Sequence, residues 1–165
     1  MMAIVVLFSA AIPACSDDDD DGGTEPDTEF EATLSGSEEV PAVSTPASGN
    51  ATVSIQGSAI VYRVEVANLE NAVVSHIHVA PAGENGDVRL NLCGVPADSP
   101  DCSTETTGVL VEGSNGTTQG ITFDSLVSAI RAGNAYVNVH TSDGTLEQGP
   151  GNFPGGEIRG QLTPQ

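Results

Sequence analysis

From Phe30 onward the chain alternates apolar and polar residues with a period of two, the pattern of half-buried strands. Phe30, Ala32 and Leu34 alternate with Glu31, Thr33 and Ser35, and Ala51, Val53 and Ile55 repeat the pattern. A turn at Gln56-Gly57-Ser58 then reverses the chain into Ile60, Tyr62, Val64 and Val66, with Arg63 and Glu65 on the opposite face. Further strands are expected at 73–80, 88–92, 109–112, 119–122, 136–141 and 157–162. Gly83-Glu84-Asn85-Gly86, Ser114-Asn115-Gly116 and the long 142–154 loop separate them with turn-forming residues. One helix is expected over 123–132: Thr122 or Asp124 can cap it, Leu126 and Ile130 share a face, and Gly133 can end it. The pattern predicts an all-β domain, an antiparallel Greek-key sandwich or barrel closed at one end by a short crossover helix.

The first residues read differently. The apolar run 1–12 is too short to cross a bilayer but fits the apolar region of a secretory signal, although no Lys or Arg precedes it. Ala14 directly before Cys15, with Ile12 three positions upstream, resembles a bacterial lipobox, which implies cleavage before Cys15 and acylation of that residue. The alternative is an ordinary signal that releases a soluble secreted protein. Asp17 to Asp21 is a run of carboxylates that repel one another and bury nothing, so 15–29 reads as a solvated tether. The expected organisation is a signal at 1–14, a tether at 15–29 and a β domain at 30–165. The expected location is the bacterial cell envelope, with membrane contact only through the lipid.

Charge narrows the partners. The sequence has 23 acidic residues, four basic ones (all arginine) and a net charge of −19. Such a surface repels phosphate backbones and anionic lipid heads, which argues against nucleic acid and direct membrane docking. Cys93 and Cys102 lack Cys-x-x-Cys spacing and a nearby histidine, so a disulfide is expected in an exported chain. Closing that loop stabilises the fold by about 2–3 kcal/mol in the chain-entropy model.

Five segments, in this order, carry a family likeness. They are Glu38-Glu39-Val40-Pro41 with Ala47-Ser48-Gly49; Val61-Tyr62-Arg63-Val64; His76-Ile77-His78-Val79-Ala80-Pro81 with the following glycine turn; the run from Ala132 to Thr141; and Gly155-Gly156-Glu157-Ile158-Arg159-Gly160-Gln161-Leu162. The ordered set resembles the CHRD (chordin-type) domain over nearly all of 30–165. The resemblance implies a β-rich extracytoplasmic module, immunoglobulin-like or Cu/Zn superoxide dismutase-like in architecture. The loop between Cys93 and Cys102 departs from that pattern as an insertion.

The chain has three histidines, His76, His78 and His140, all in the two most distinctive strands. Strand parity points Val73, Ile77 and Val79 one way and His76 and His78 the other. Val137 and Val139 likewise oppose Asn138 and His140. If the two strands are neighbours, the three imidazoles gather on the non-core face, where they can hold zinc or copper with one coordination position open. His-x-His on one strand, Val-x-His on a later one and a glycine-rich loop before the last strand also resemble Cu/Zn superoxide dismutase. The bridging histidine and zinc loop of that family are missing, so dismutase activity is not implied. The other reading is a structural network in which the histidines and Asn138 tie down loops, with Glu157 and Arg159 completing it; those three residues would form the outer shell of a metal site.

The sequence contains no Gly-x-Ser-x-Gly elbow, phosphate-binding glycine loop or reactive cysteine. Glu38 and Glu39 are adjacent and, on a strand, would face opposite sides. The expected role is a binding or structural module, not an enzyme, with a protein or glycan ligand. The alternative is a copper- or zinc-binding envelope protein.

Overall fold

A computed structural model describes residues 28–96, 99–145 and 149–165. The expected signal, Cys15 and most of the tether lie outside these residues. The elements are β1 (Glu29–Ser35), a 3-10 turn (Gly36–Glu38), β2 (Ser48–Gln56), β3 (Ala59–Ala67), β4 (Ala72–Val79) and β5 (Asp87–Cys93). After these come β6 (Gly108–Asn115), α1 (Phe123–Arg131), β7 (Ala135–Thr141), β8 (Ile158–Gln161) and β9 (Thr163–Pro164). The nine strands form one antiparallel sheet in the order β5-β4-β7-β8-β1-β2-β3-β6, with β9 pairing β1. The sheet curls until β5 approaches β6, and a single bridge between Leu90 and Thr118 nearly closes it into a barrel.

Alternation fixes which face is buried. The β1–β2 and β2–β3 registers set Phe30 beside Val53 and Val53 beside Tyr62, then Ala32 beside Ala51 and Ala51 beside Val64. These rows point inward and meet Ile77, Leu90, Val137, Val139 and Ile158, all fully buried. A slip of one residue in any strand would turn its apolar row to water, so the core specifies the register.

Helix α1 is capped by Thr122, whose Oγ1 accepts the Ser125 N–H at 3.1 Å. It buries Leu126, Val127 and Ile130, and just past its C-cap comes Gly133, whose φ of +68° an L side chain adopts poorly. The helix stops at Arg131, with Ala132 as its C-cap, one residue before the expected end. The Cys93 and Cys102 sulfurs lie at bonding distance, their Cα atoms 5.0 Å apart.

Three expectations fail. Residues 119–122 form no strand: Gln119 N–H donates to the Arg89 carbonyl at 2.9 Å, and Thr122 is already committed as the helix cap. Val73 does not share the inward face of Ile77 but is 42 % exposed, because the β4–β7 register shifts between Ala72 and Val74. A bulge breaks parity on one side of it only, so the reading from His76 to Val79 stands. Glu38 lies in the 3-10 turn, not on a strand.

Close approach of strands explains one glycine. A Cβ on Gly160 would lie 2.2 Å from the Thr33 carbonyl oxygen, whereas one on Gly155 meets nothing within 4 Å. Gly160→Ala is therefore expected to lower unfolding free energy by about 1–3 kcal/mol and Gly155→Ala to leave it nearly unchanged. Equal urea midpoints for the two variants would contradict this packing.

Candidate metal centre

The histidine face is built by register. Strands β4 and β7 are neighbours, with Val74 opposite His140, His76 opposite Asn138 and His78 opposite Tyr136. Paired residues share a face, so the three rings stand together on the outer side of the sheet, away from Ile77, Val137 and Val139. Ring centroids are 5.6 Å apart for His76 and His78, 5.2 Å for His76 and His140, and 5.9 Å for His78 and His140. One nitrogen from each ring falls within 4.8 Å of the others.

Hydrogen bonding fixes two of the rings. His78 Nδ1 lies 2.9 Å from the Gly86 carbonyl and His140 Nδ1 lies 2.9 Å from the Pro154 carbonyl. A carbonyl oxygen only accepts, so each Nδ1 carries the proton and each Nε2 keeps a lone pair. Those two Nε2 atoms, together with His76 Nδ1, are buried and have no hydrogen-bond partner. Burial pushes all three pKa values down. His76 falls from 6.5 to about 4, helped by the charges its two neighbours would carry, while the bonds to Gly86 and Pro154 resist the shift at His78 and His140. The rings are thus neutral at pH 7.

This donor set fits a borderline transition metal. Neutral imidazoles suit zinc and copper, and an N–H held by a backbone carbonyl is the usual way a ligating ring is oriented. Ligands about 2.0–2.1 Å from a tetrahedral ion stand about 3.3–3.4 Å apart, so the rings must close in slightly. A rotation of about 15° about a side-chain bond moves a ring nitrogen by about 1 Å and stays within one rotamer well.

The flanking residues form a second polar layer. His78 stacks on Tyr136 with centroids 4.9 Å apart and ring planes 9° from parallel, and the Arg159 guanidinium lies 4.7 Å from the Tyr136 centroid. Arg159 donates to the Glu38 carbonyl, the Glu84 carbonyl and Asn85 Oδ1, while Tyr136 Oη accepts the Gly86 N–H at 3.1 Å. Arg159 therefore ties the glycine turn and the 3-10 turn to the sheet. Glu157 holds other segments: it accepts from the Thr45 and Thr141 hydroxyls and from the Gly151 N–H. Of the three expected outer-shell residues, Asn138 sits in the histidine row, Arg159 lies over Tyr136 and its charge disfavours protonation of His78, and Glu157 braces loops.

Sequence reasoning passed over Glu39 and Tyr136. Glu39 is only 6 % exposed, and its Oε1 and Asn138 Oδ1 are both buried without a hydrogen-bond partner. Both flank Gly156, where an added Cβ would come within 2.7 Å of Glu39 Oε1 and 2.8 Å of Asn138 Oδ1. No local pattern marks that burial, since it depends on residues 36–47 folding over the sheet. Tyr136 was within reach, because pairing the two histidine strands sets it opposite His78.

The structure defines an all-β, barrel-like module carrying three converging histidines on its outer face. The family model of the CHRD domain matches residues 30–162, and the chain belongs to the CHRD-domain family. No curated protein and no solved structure matches the chain.

Loss of hydration raises the Glu39 pKa from 4.5 to about 7, against the opposing pull of Arg159 and a hydrogen bond from Asn138. Between those values the folded state keeps a proton that the unfolded chain has released. The stability tied to this proton is complete below pH 4.5 and declines as pH rises through about 7. Glu39→Gln, which mimics the protonated carboxyl, is expected to be about 2 kcal/mol more stable than the parent at pH 8 and nearly equal to it at pH 4. Urea unfolding at both pH values checks this; a difference independent of pH contradicts it.

Proposed function

We propose that this CHRD domain is a binding module of the cell envelope that holds one copper or zinc ion on His76, His78 and His140. The observation that carries the reading is the set of buried, unpartnered ring nitrogens, two of them aimed by hydrogen bonds from the opposite nitrogen to backbone carbonyls. A buried polar atom without a partner costs about 1–3 kcal/mol, and a shared cation removes that cost at all three rings. Three neutral ligands leave a coordination position free, as in sites that bind an external group. Among the described residues no nucleophile–base pair accompanies the rings, which supports binding as the role.

Isothermal titration and metal analysis of purified protein test this. One Cu(II) or Zn(II) per chain is expected. His140→Ala is expected to weaken uptake by at least about a hundredfold, more than a typical outer-shell loss, and the triple alanine variant to abolish it. Uptake equal in the parent and the triple variant would sink the proposal.

A second reading rests on the same bonds to Gly86 and Pro154, which tie the turn after β4 and the loop after β7 to the sheet. In that reading His78 and His140 are braces worth about 1 kcal/mol each, and their alanine variants lose stability in metal-free buffer with no metal effect in the parent.

The envelope location rests on the sequence before residue 28: an apolar run, a lipobox-like Ala14-Cys15 and an acidic tether. Palmitate labelling in a bacterial host is expected to mark the full-length chain and not Cys15→Ser. Equal labelling of both excludes the anchor at Cys15.

A further inference from the structure

A cavity of about 110 Å³ lies between the segment after the 3-10 turn and the loop before β8. Val40, Val43 and Phe153 make its apolar walls, Glu39 and Gly156 are its buried floor, and Pro41 is exposed at its mouth. Bonds on both sides hold the walls in place. The Glu39 and Val43 N–H groups donate to the Gly36 carbonyl at 3.2 and 2.9 Å, and Asn85 Nδ2 donates to the Val40 carbonyl at 2.8 Å. Across the cavity the Phe153 N–H donates to Thr141 Oγ1 at 2.9 Å, and the Gly156 N–H to the Phe153 carbonyl at 3.0 Å. The space is preformed.

What its floor lacks is a donor. Glu39 Oε1 and Asn138 Oδ1 are buried acceptors without a hydrogen-bond partner. Both close on one notch at Gly156, where a side chain would start 2.7 Å from the first and 2.8 Å from the second. Glycine leaves that notch open. The Arg159 charge acts on Glu39, but its own bonds go to the Glu38 and Glu84 carbonyls and to Asn85 Oδ1. A proton retained on Glu39 offsets part of the cost in the free protein.

The group that fits is small, cationic and able to donate more than one hydrogen bond. A water's share of liquid volume is about 30 Å³, so the cavity admits about four non-hydrogen atoms. A guanidinium would spend all of these on its planar head and leave none for the apolar walls. Calcium takes about six to eight oxygen ligands, more than Glu39 and Asn138 offer. A primary ammonium carries three donors on one compact nitrogen at the end of an alkyl stem, and its bonds to a carboxylate are charge-assisted. The chain contains no lysine, so a lysine-type ammonium comes from another molecule. We infer that this cavity binds the ammonium end of a primary alkylamine, the nitrogen donating to Glu39 Oε1 and Asn138 Oδ1 beside Gly156 and the stem lying against Val40, Val43 and Phe153. The source is a free amine or the lysine side chain of a partner. The site needs no metal on the histidines, so it stands or falls apart from that reading.

The test is calorimetric titration of metal-free protein at pH 8, where the Glu39 carboxyl, with a pKa of about 7, is ionised. The probes are n-propylammonium chloride and n-propanol at constant ionic strength. Saturable binding of the amine at one site per chain is expected, with the alcohol at least about tenfold weaker. Glu39→Gln keeps the shape and removes the charge, and is expected to weaken the amine at least about tenfold. Glu31→Gln, at an exposed carboxylate on β1, is expected to change it little. A short peptide with one central lysine separates the sources. Binding of the peptide as well assigns the site to a partner's lysine, and binding of propylammonium alone assigns it to a free amine. No saturable uptake of propylammonium, an affinity that Glu39→Gln leaves unchanged, or equal binding of propanol overturns the site.

Discussion

The pairing of β4 with β7 is the constraint on which the rest depends. These two strands hold Ile77, Val137 and Val139 in the core, and the period of two then forces His76, His78, Asn138 and His140 to the opposite side. The apolar face drives the pairing, because burying those side chains stabilises the sheet by a few kcal/mol each. The polar face follows from it. The histidine cluster is the geometric consequence of a register chosen by valines and isoleucine.

A polar face on a sheet usually meets water. Here it is roofed by loops that contribute backbone groups rather than apolar side chains. Gly86 and Pro154 offer carbonyls to the imidazoles, Arg159 gathers Glu38, Glu84 and Asn85, and Glu157 gathers Thr45, Thr141 and Gly151. Among the described residues of the roof, the buried side-chain atoms without a partner are the ring nitrogens, Glu39 Oε1 and Asn138 Oδ1. Buried polar networks carry large penalties where they are incomplete, so the incomplete places are where chemistry is to be sought.

Much of this was legible in the chain itself. Alternation located most strands, and parity placed the three histidines on one face before any pairing was known. The failures have physical causes. Residues 119–122 alternate as a strand does, but the cap of α1 claims their end. Val73 follows the parity of Ile77 until a bulge between Ala72 and Val74 interrupts it. Glu39 is invisible because its burial is long-range: residues 36–47 cross the sheet only after β1 and β8 have brought Ser35 beside Arg159.

The disulfide-closed loop between Cys93 and Cys102 thus does more than connect β5 to β6. Cross-linked at its base and carrying Val95, Pro96 and Pro100, it lines together with His76 a hollow on the β5 side of the barrel. A barrel of this design without that segment would lose the wall beside His76, while the bonds of His78 to Gly86 and of His140 to Pro154 would remain. The loop therefore bears on one of the three imidazoles and leaves the other two to the turn after β4 and the loop after β7.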